Sequence, residues 1–315
     1  MSRPNTWQER VDAYVAERRR AGFQLSIDAL QLASFARFAQ RLGHRGSLTV
    51  DLASRWALAS RRGARLTAAR RIEVLRGFAR YWQQFDPATQ IPPRLLFGPA
   101  HRRLTPHIYT DAEICALLAA AARLSPPAGL RAASCTTFFG LIAATGLRIS
   151  EAAGLHRSDV DLEHGVLLIR HAKFGKSRWV PLHPTTVKAL KHYVKRRDRE
   201  FPGTAQDAFF VGGNGRALLP QQARYAFNRL RQALGWRPRG GHPAPRIQDL
   251  RHRFVCRRLH RWYQDGKDID RHILALSTYV GHVNITDTYW YITATPELMA
   301  AAARRSEHFS AGGVR

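Results

Sequence analysis

The sequence predicts a mostly helical fold with one small antiparallel β-sheet, an α+β class, arranged as two domains. Three observations carry this. The chain has 315 residues, more than one hydrophobic core ordinarily serves. Apolar residues recur at helical spacing along most of it, and only two short runs read as strands. A cluster of prolines at Pro87, Pro92, Pro93, Pro99 and Pro106 interrupts the helical pattern, since proline cannot sit inside a helix and pushes the residue before it toward extended backbone.

Residues 7 to 85 are expected to form four short helices, with Ile27, Leu30, Phe35, Phe38 and Leu42, then Ile72, Leu75, Ala79 and Trp82, spaced for burial. Their polar faces carry Arg18, Arg19, Arg20, Arg61, Arg62, Arg65, Arg70, Arg71 and Arg76. The domains are accordingly set at 1–86 and 107–315, with 87–106 as a proline-rich linker. The second opens at Thr110 with Glu113 three residues on, a capping box before an apolar run. An apolar helix at 134–145 ends at Gly146. Strands at 166–170 and 178–182 flank a loop of hairpin length. Helices follow at 185–200, 220–234, 248–263, 270–280, 284–292 and 296–307, the last with Thr295 as N-cap and Pro296 in its first turn.

Charge is the first clue to function. Fifty Lys and Arg against 23 Asp and Glu leave a formal charge of +27, which repels itself in a compact chain and suits a polyanionic partner. Double-stranded DNA is the expected partner, because each neutralised phosphate releases counterions. The basic residues are spread along the chain instead of forming one amphipathic segment, which argues against membrane-surface binding. No segment approaches the ~20 apolar residues needed to span a membrane. The N-terminus has no apolar core of the secretory kind, so a cytoplasmic location is expected. Cys115, Cys135 and Cys256 form no CxxC pair, which fits a reducing compartment. The sequence contains no HExxH, and the glycines of VGGNGRAL lack the lysine of a phosphate-binding loop. No cofactor or metal is expected.

Four stretches, ATGLRISEAAGLHRSDVDL at 144–162, KFGKSRWVPL at 173–182, IQDLRHRF at 247–254 and YVGHVNITDTYWYI at 279–292, resemble the signature boxes of the tyrosine recombinases of the phage integrase family, in order. The resemblance covers the second domain, and the helical first domain resembles the family's core-binding, SAM-like DNA-binding domain more loosely. It implies site-specific cleavage and rejoining of DNA through a 3′-phosphotyrosine, for integration or transposition of a mobile element. It also implies a tetramer on DNA, alone or with sister recombinases, and docking of the C-terminal helix on a neighbour; a helix folding back on its own domain is the alternative.

By the same resemblance, Arg148 and Arg251 are the arginine pair that holds the phosphate, a task suited to a planar, permanently charged fork. Glu151 orients Arg148, Lys173 is the general acid and Lys176 a phosphate contact. His282 is a donor to the phosphate. Tyr291, nine residues after it, is the nucleophile, with Tyr289 the local competitor and Tyr279 a remote one. Tyrosine needs neighbouring cations to lower a pKa of about 10, and the arginine pair is the expected source. The departure is Gln248, which stands where the family usually has histidine: it can donate to a phosphate oxygen but cannot shuttle a proton. His252 is expected to project away from the centre in a supporting role. Arg178, Arg61, Arg62, Arg65 and Arg70 are the further expected DNA contacts. Two alternatives stay open: a cleavage-deficient accessory or regulatory protein on the same fold, for which Gln248 is the support, and a type IB topoisomerase-like enzyme that shares the chemistry.

Overall fold

Thr6 starts the first helix by a reciprocal cap: its hydroxyl accepts from the Glu9 amide while the Glu9 carboxylate accepts from the Thr6 amide. The computed structural model describes residues 6–60, 64–126, 129–170, 177–202, 207–292, 299, 300 and 303. It divides into two compact units, Met1–Arg103 and Leu104–Arg315.

The first unit contains α1 (Trp7–Arg20), α2 (Ser26–Arg41), α3 (Val50–Leu58) and α4 (Arg65–Trp82). Leu32, Phe35, Trp56, Ile72, Leu75 and Phe78 form its interior, and Phe35 meets Trp7 and Trp56 edge-on at 5.2 and 5.4 Å. Ile27, Leu30 and Leu42 depart from expectation. α2 carries a second apolar set at 32, 35, 36 and 39 that turns inward, and this leaves Ile27 and Leu30 69% and 71% exposed. Much of the proline-rich segment packs on this unit: Ile91, Leu96 and Phe97 lie against its core, and the Gln90 amide donates to Leu48 O at 2.8 Å. Not all of the arginines are free. Arg71 Nη1 donates to Trp56 O at 2.8 Å, Arg76 bonds to Pro92 O, and Arg18 lies over the Phe23 ring.

The second unit begins with α5 (Asp111–Ala122), capped by Thr110 and Glu113. It continues through α6 (Leu130–Thr145), α7 (Ile149–Ala153), β1 (Val160–Asp161), β2 (Val166–Ile169) and β3 (Arg178–Pro181). The strands pair antiparallel in the order β1-β2-β3, with Leu167 opposite Val180 and Ile169 opposite Arg178. Leu167, Ile169 and Val180 face the core, as period-two alternation requires. Then come α8 (Pro184–Glu200), α9 (Pro220–Ala233), α10 (Gln248–Gln264), α11 (Ile269–Val280) and α12 (Thr286–Tyr289). The expected helix at 284–292 is only this short turn, and most of the expected helix at 296–307 lies outside the described residues.

Two packed clusters set the stage for the site. Phe138, Phe139, Phe210 and Phe227 centre the larger one, between α6, α8 and α9. Val255, Leu259, Ile273 and Val280 join α10 to α11 in the smaller one, and Tyr291 is buried within it. Among the described residues no helix is long and apolar enough to cross a membrane.

Candidate active site

α6 stops at Gly146, whose φ of +67° suits glycine, and a Cβ there would meet the Phe254 ring at 2.6 Å. The freed carbonyl of Gly146 accepts from Arg251 Nη1 at 2.7 Å, so the turn before Arg148 anchors the other arginine. Arg148 sits at the N-cap of α7. Glu151, three residues on, accepts from the Arg148 amide at 3.0 Å and from its Nη1 at 2.7 Å. Arg148 Nη2 reaches the carbonyl of Gly281 at 2.8 Å.

Glu151 also takes both terminal nitrogens of Arg178, at 3.1 and 2.9 Å, while Arg178 Nε donates to Tyr279 O at 2.8 Å. Burial pushes the Glu151 carboxyl up, but the hydrogen bonds and charge of Arg178, followed by those of Arg148, outweigh it and hold the group below its ordinary value. Arg178, expected among the DNA contacts, has a side chain only 9% exposed and paired with Glu151, a position in which it braces the site.

Gln248, Arg251 and His252 lie on one stripe of α10, at i, i+3 and i+4. Arg251 is 2% exposed, and its Nη2 has no hydrogen-bond partner among the described residues. Burial, reinforced by the charge of Arg148, pushes its pKa down to about 10. A buried guanidinium with a spare donor, next to two more arginines that share one carboxylate, is a place for an anion with several oxygens.

α11 ends at Gly281, at φ +72°. His282 follows, its Nδ1 paired with Thr288 Oγ1 at 2.7 Å. Burial, then the charges of Arg251 and Arg148, drives the imidazole down to about 3, so it is neutral near pH 7. The Tyr291 ring stacks on His282 at 5.9 Å and 12° and meets His252 at 5.3 Å. Only 3% of Tyr291 is exposed. Burial pushes its hydroxyl up to about 12 against the pull of Arg251 and Arg148. The arginine pair acts in the expected direction, but desolvation exceeds its pull and the net shift is upward.

The other tyrosines are committed elsewhere. Tyr289 Oη donates to Asp270 Oδ1 at 2.9 Å and Tyr279 Oη to Pro181 O at 3.1 Å. The structure thus brings Arg148, Glu151, Arg251, His252, His282 and Tyr291 into one neighbourhood, from the α6–α7 turn, α10 and the segment after α11, with Gln248 one turn before His252 on α10. His252 is closer to the centre than its sequence position suggested: about 100° from Arg251 still leaves it on the stripe that faces the returning C-terminal segment. Lys173, Lys176, Arg61 and Arg62 lie outside the described residues. Arg65 and Arg70 are exposed on α4, with Arg70 Nε donating to Ala100 O at 3.2 Å. Among the described residues no group of three or more His, Cys, Asp or Glu could hold a metal ion.

Comparison with known proteins adds a lineage to this geometry. The phage integrase family profile matches residues 108–297. A putative integrase/recombinase of Sinorhizobium fredii, y4rB, is 37% identical, over 96% of this chain and 98% of that protein. The fold is shared with the Tn1549 transposon integrase in complex with transposon right end DNA: TM-score 0.69, 18% identity, 96% of this chain and 99% of that one. It is also shared with the XerH site-specific recombinase bound to difH substrate: TM-score 0.66, 19% identity, 93% and 83%. From a match over most of its second unit and a full-length relative, the chain belongs to the phage integrase family of tyrosine recombinases.

Proposed function

We propose that this tyrosine recombinase cuts and rejoins DNA at specific sites through Tyr291, to integrate or transpose a mobile element. The observation that carries the reading is the convergence of Tyr291, His282, Arg148 and Arg251, with the buried Arg251 guanidinium beside the phenol. In the proposed step, Tyr291 Oη attacks the strand phosphate and becomes linked to its 3′ side. Arg148 and Arg251 hold the non-bridging oxygens, where charge grows in the transition state. His282 and Gln248 donate further hydrogen bonds, and Lys173 protonates the departing 5′ oxygen. The phosphotyrosine conserves the energy of the broken phosphodiester, so rejoining needs no ATP or metal.

Duplex DNA is the partner, gripped by the basic surfaces of both units, and the enzyme acts in the cytoplasm. Four protomers assemble on two sites, alone or with sister recombinases. The name of the 37% identical relative and the likeness to a transposon integrase support a mobile-element role. The test uses nicked suicide duplexes tiled across the DNA flanking the gene, scored for a covalent protein–DNA species, followed by recombination between two copies of the reactive site. An adduct with strand exchange supports the reading. An adduct with relaxation alone points to a topoisomerase, and tight binding without any adduct favours the cleavage-deficient alternative that Gln248 suggests.

A further inference from the structure

We infer that His252 is the proton acceptor for Tyr291, taking over work that Gln248 cannot do; the inference rests on the recombinase reading above. Four observations lead to it. Gln248, in the first turn of α10, can donate a hydrogen bond to a phosphate oxygen but cannot take a proton from the phenol. His252 stands one helical turn further along the same stripe, at i+4. Its ring meets the Tyr291 ring at 5.3 Å and the Trp290 ring at 6.0 Å, so the C-terminal segment folds the nucleophile onto this imidazole. Its Nδ1 is buried without a hydrogen-bond partner among the described residues, an unfavourable state for a polar atom that a transient partner would relieve.

The neighbouring histidine is differently placed. His282 Nδ1 is bonded to Thr288 Oγ1 at 2.7 Å, and its role is donation to the phosphate. The groups around His252 keep it unprotonated: burial dominates, and although Asp249 favours the charged form, Arg246, Arg251 and His242 disfavour a further positive charge. From the C-terminal segment it faces Trp290 and Tyr291. A neutral imidazole in a poorly hydrated contact is free to accept.

The step balances without any added reagent. As the Tyr291 Oη–P bond forms, the Oη–H proton passes to His252 Nδ1, directly or through one water, and the O–H electron pair becomes the new bond. The P–O bond to the 5′ oxygen breaks with its electron pair, and that oxygen takes a proton from the general acid. On rejoining, His252 returns its proton to the phenol.

The test measures the rate of covalent adduct formation on nicked duplexes tiled across the DNA flanking the gene. It compares the full-length protein with His252→Phe, which keeps a ring against Tyr291, and His252→Gln, which keeps polarity. Both variants should lose about 10²-fold in rate while binding DNA as before. The loss should persist on a 5′-phosphorothiolate duplex, whose thiolate leaves without a proton donor, which separates a missing base from a missing acid. The wild-type rate should fall as pH drops through an imidazole ionisation below the ordinary histidine range, a limb absent from the variants. Adding Gln248→His to His252→Phe should recover at least about 10-fold, because it restores a proton acceptor one turn away. A purely structural role predicts no such rescue and no change in pH profile. Wild-type rates from both variants, or a defect that the phosphorothiolate abolishes, overturn the inference and leave the recombinase reading intact. No adduct from the wild type on any duplex overturns both.

Discussion

Arg148 Nη2 donates to the carbonyl oxygen of Gly281 at 2.8 Å, across 133 positions of sequence. The second arginine is held in the same manner, Arg251 Nη1 on Gly146 O at 2.7 Å. Each of the two arginines proposed to hold the phosphate is thus fixed by the carbonyl of a left-handed glycine that ends a helix: one glycine precedes His282 by one residue, and the other precedes Arg148 by two. Rigid donors aimed before the substrate arrives are what electrostatic catalysis of phosphoryl transfer requires.

Gly281→Ala tests that anchoring. The φ of +72° disfavours any Cβ, and the added carbon would lie 2.5 Å from Arg178 Nη1, which cannot retreat freely because Glu151 holds it. We expect a stability loss of about 1–3 kcal/mol in urea unfolding, together with slowed cleavage and near-normal DNA affinity. Unchanged cleavage would mean that Arg148 does not depend on this carbonyl.

Glu151→Gln tests the shared carboxylate by pH. The Glu151 pKa is depressed in the folded protein despite burial, because Arg178 and Arg148 favour the ionised form. The unfolded chain therefore binds more protons in acid. The stabilisation is fully present above the unfolded value of about 4.3 and is lost as pH falls through the folded value. Wild type should exceed Glu151→Gln in stability at pH 7, and the gap should narrow below about pH 4.3. A gap independent of pH would remove the ion-pair explanation.

Salt dependence separates arginines that meet DNA from those that brace the fold. Arg65→Ala and Arg70→Ala, on the exposed face of α4, should each reduce the slope of log K against log salt by about 1, equally for all sequences. Arg178→Ala should leave the slope unchanged. It should instead destabilise the fold by about 3–5 kcal/mol, since Glu151, with a side chain 6% exposed, loses its two-pronged partner.

The helical class, the hairpin strands and the motif residues are legible in the sequence because each rests on local spacing: caps at Thr110 and Glu113, alternation in β2 and β3, helical periodicity in α10. What local spacing could not supply is where a side chain finds its partner. Arg178 reads as one more basic residue beside a hairpin tip until Glu151, 27 positions earlier, is placed under it. His252 is an unremarkable helix position until the chain returns with Tyr291 to lie on it. The Tyr291 pKa turns on the balance between burial and two arginines, and only coordinates give the burial. In α2 the expected face is split: Phe35 goes in together with Leu32, which the spacing did not single out, while Ile27 and Leu30 stay out, because contact with the neighbouring helices sets the buried side.

Tyr291 is proposed as the covalent link to DNA, and tyrosine mapping decides whether it is. A suicide-substrate adduct would be digested with protease and nuclease, and the peptide carrying a phosphonucleotide located by fragmentation mass spectrometry. Tyr291 should carry the mass, and Tyr291→Phe should abolish the adduct while Tyr289→Phe retains it. A nucleotide on Tyr289, whose hydroxyl donates to Asp270 Oδ1 at 2.9 Å in this structure, or an adduct that survives in Tyr291→Phe, would contradict the account.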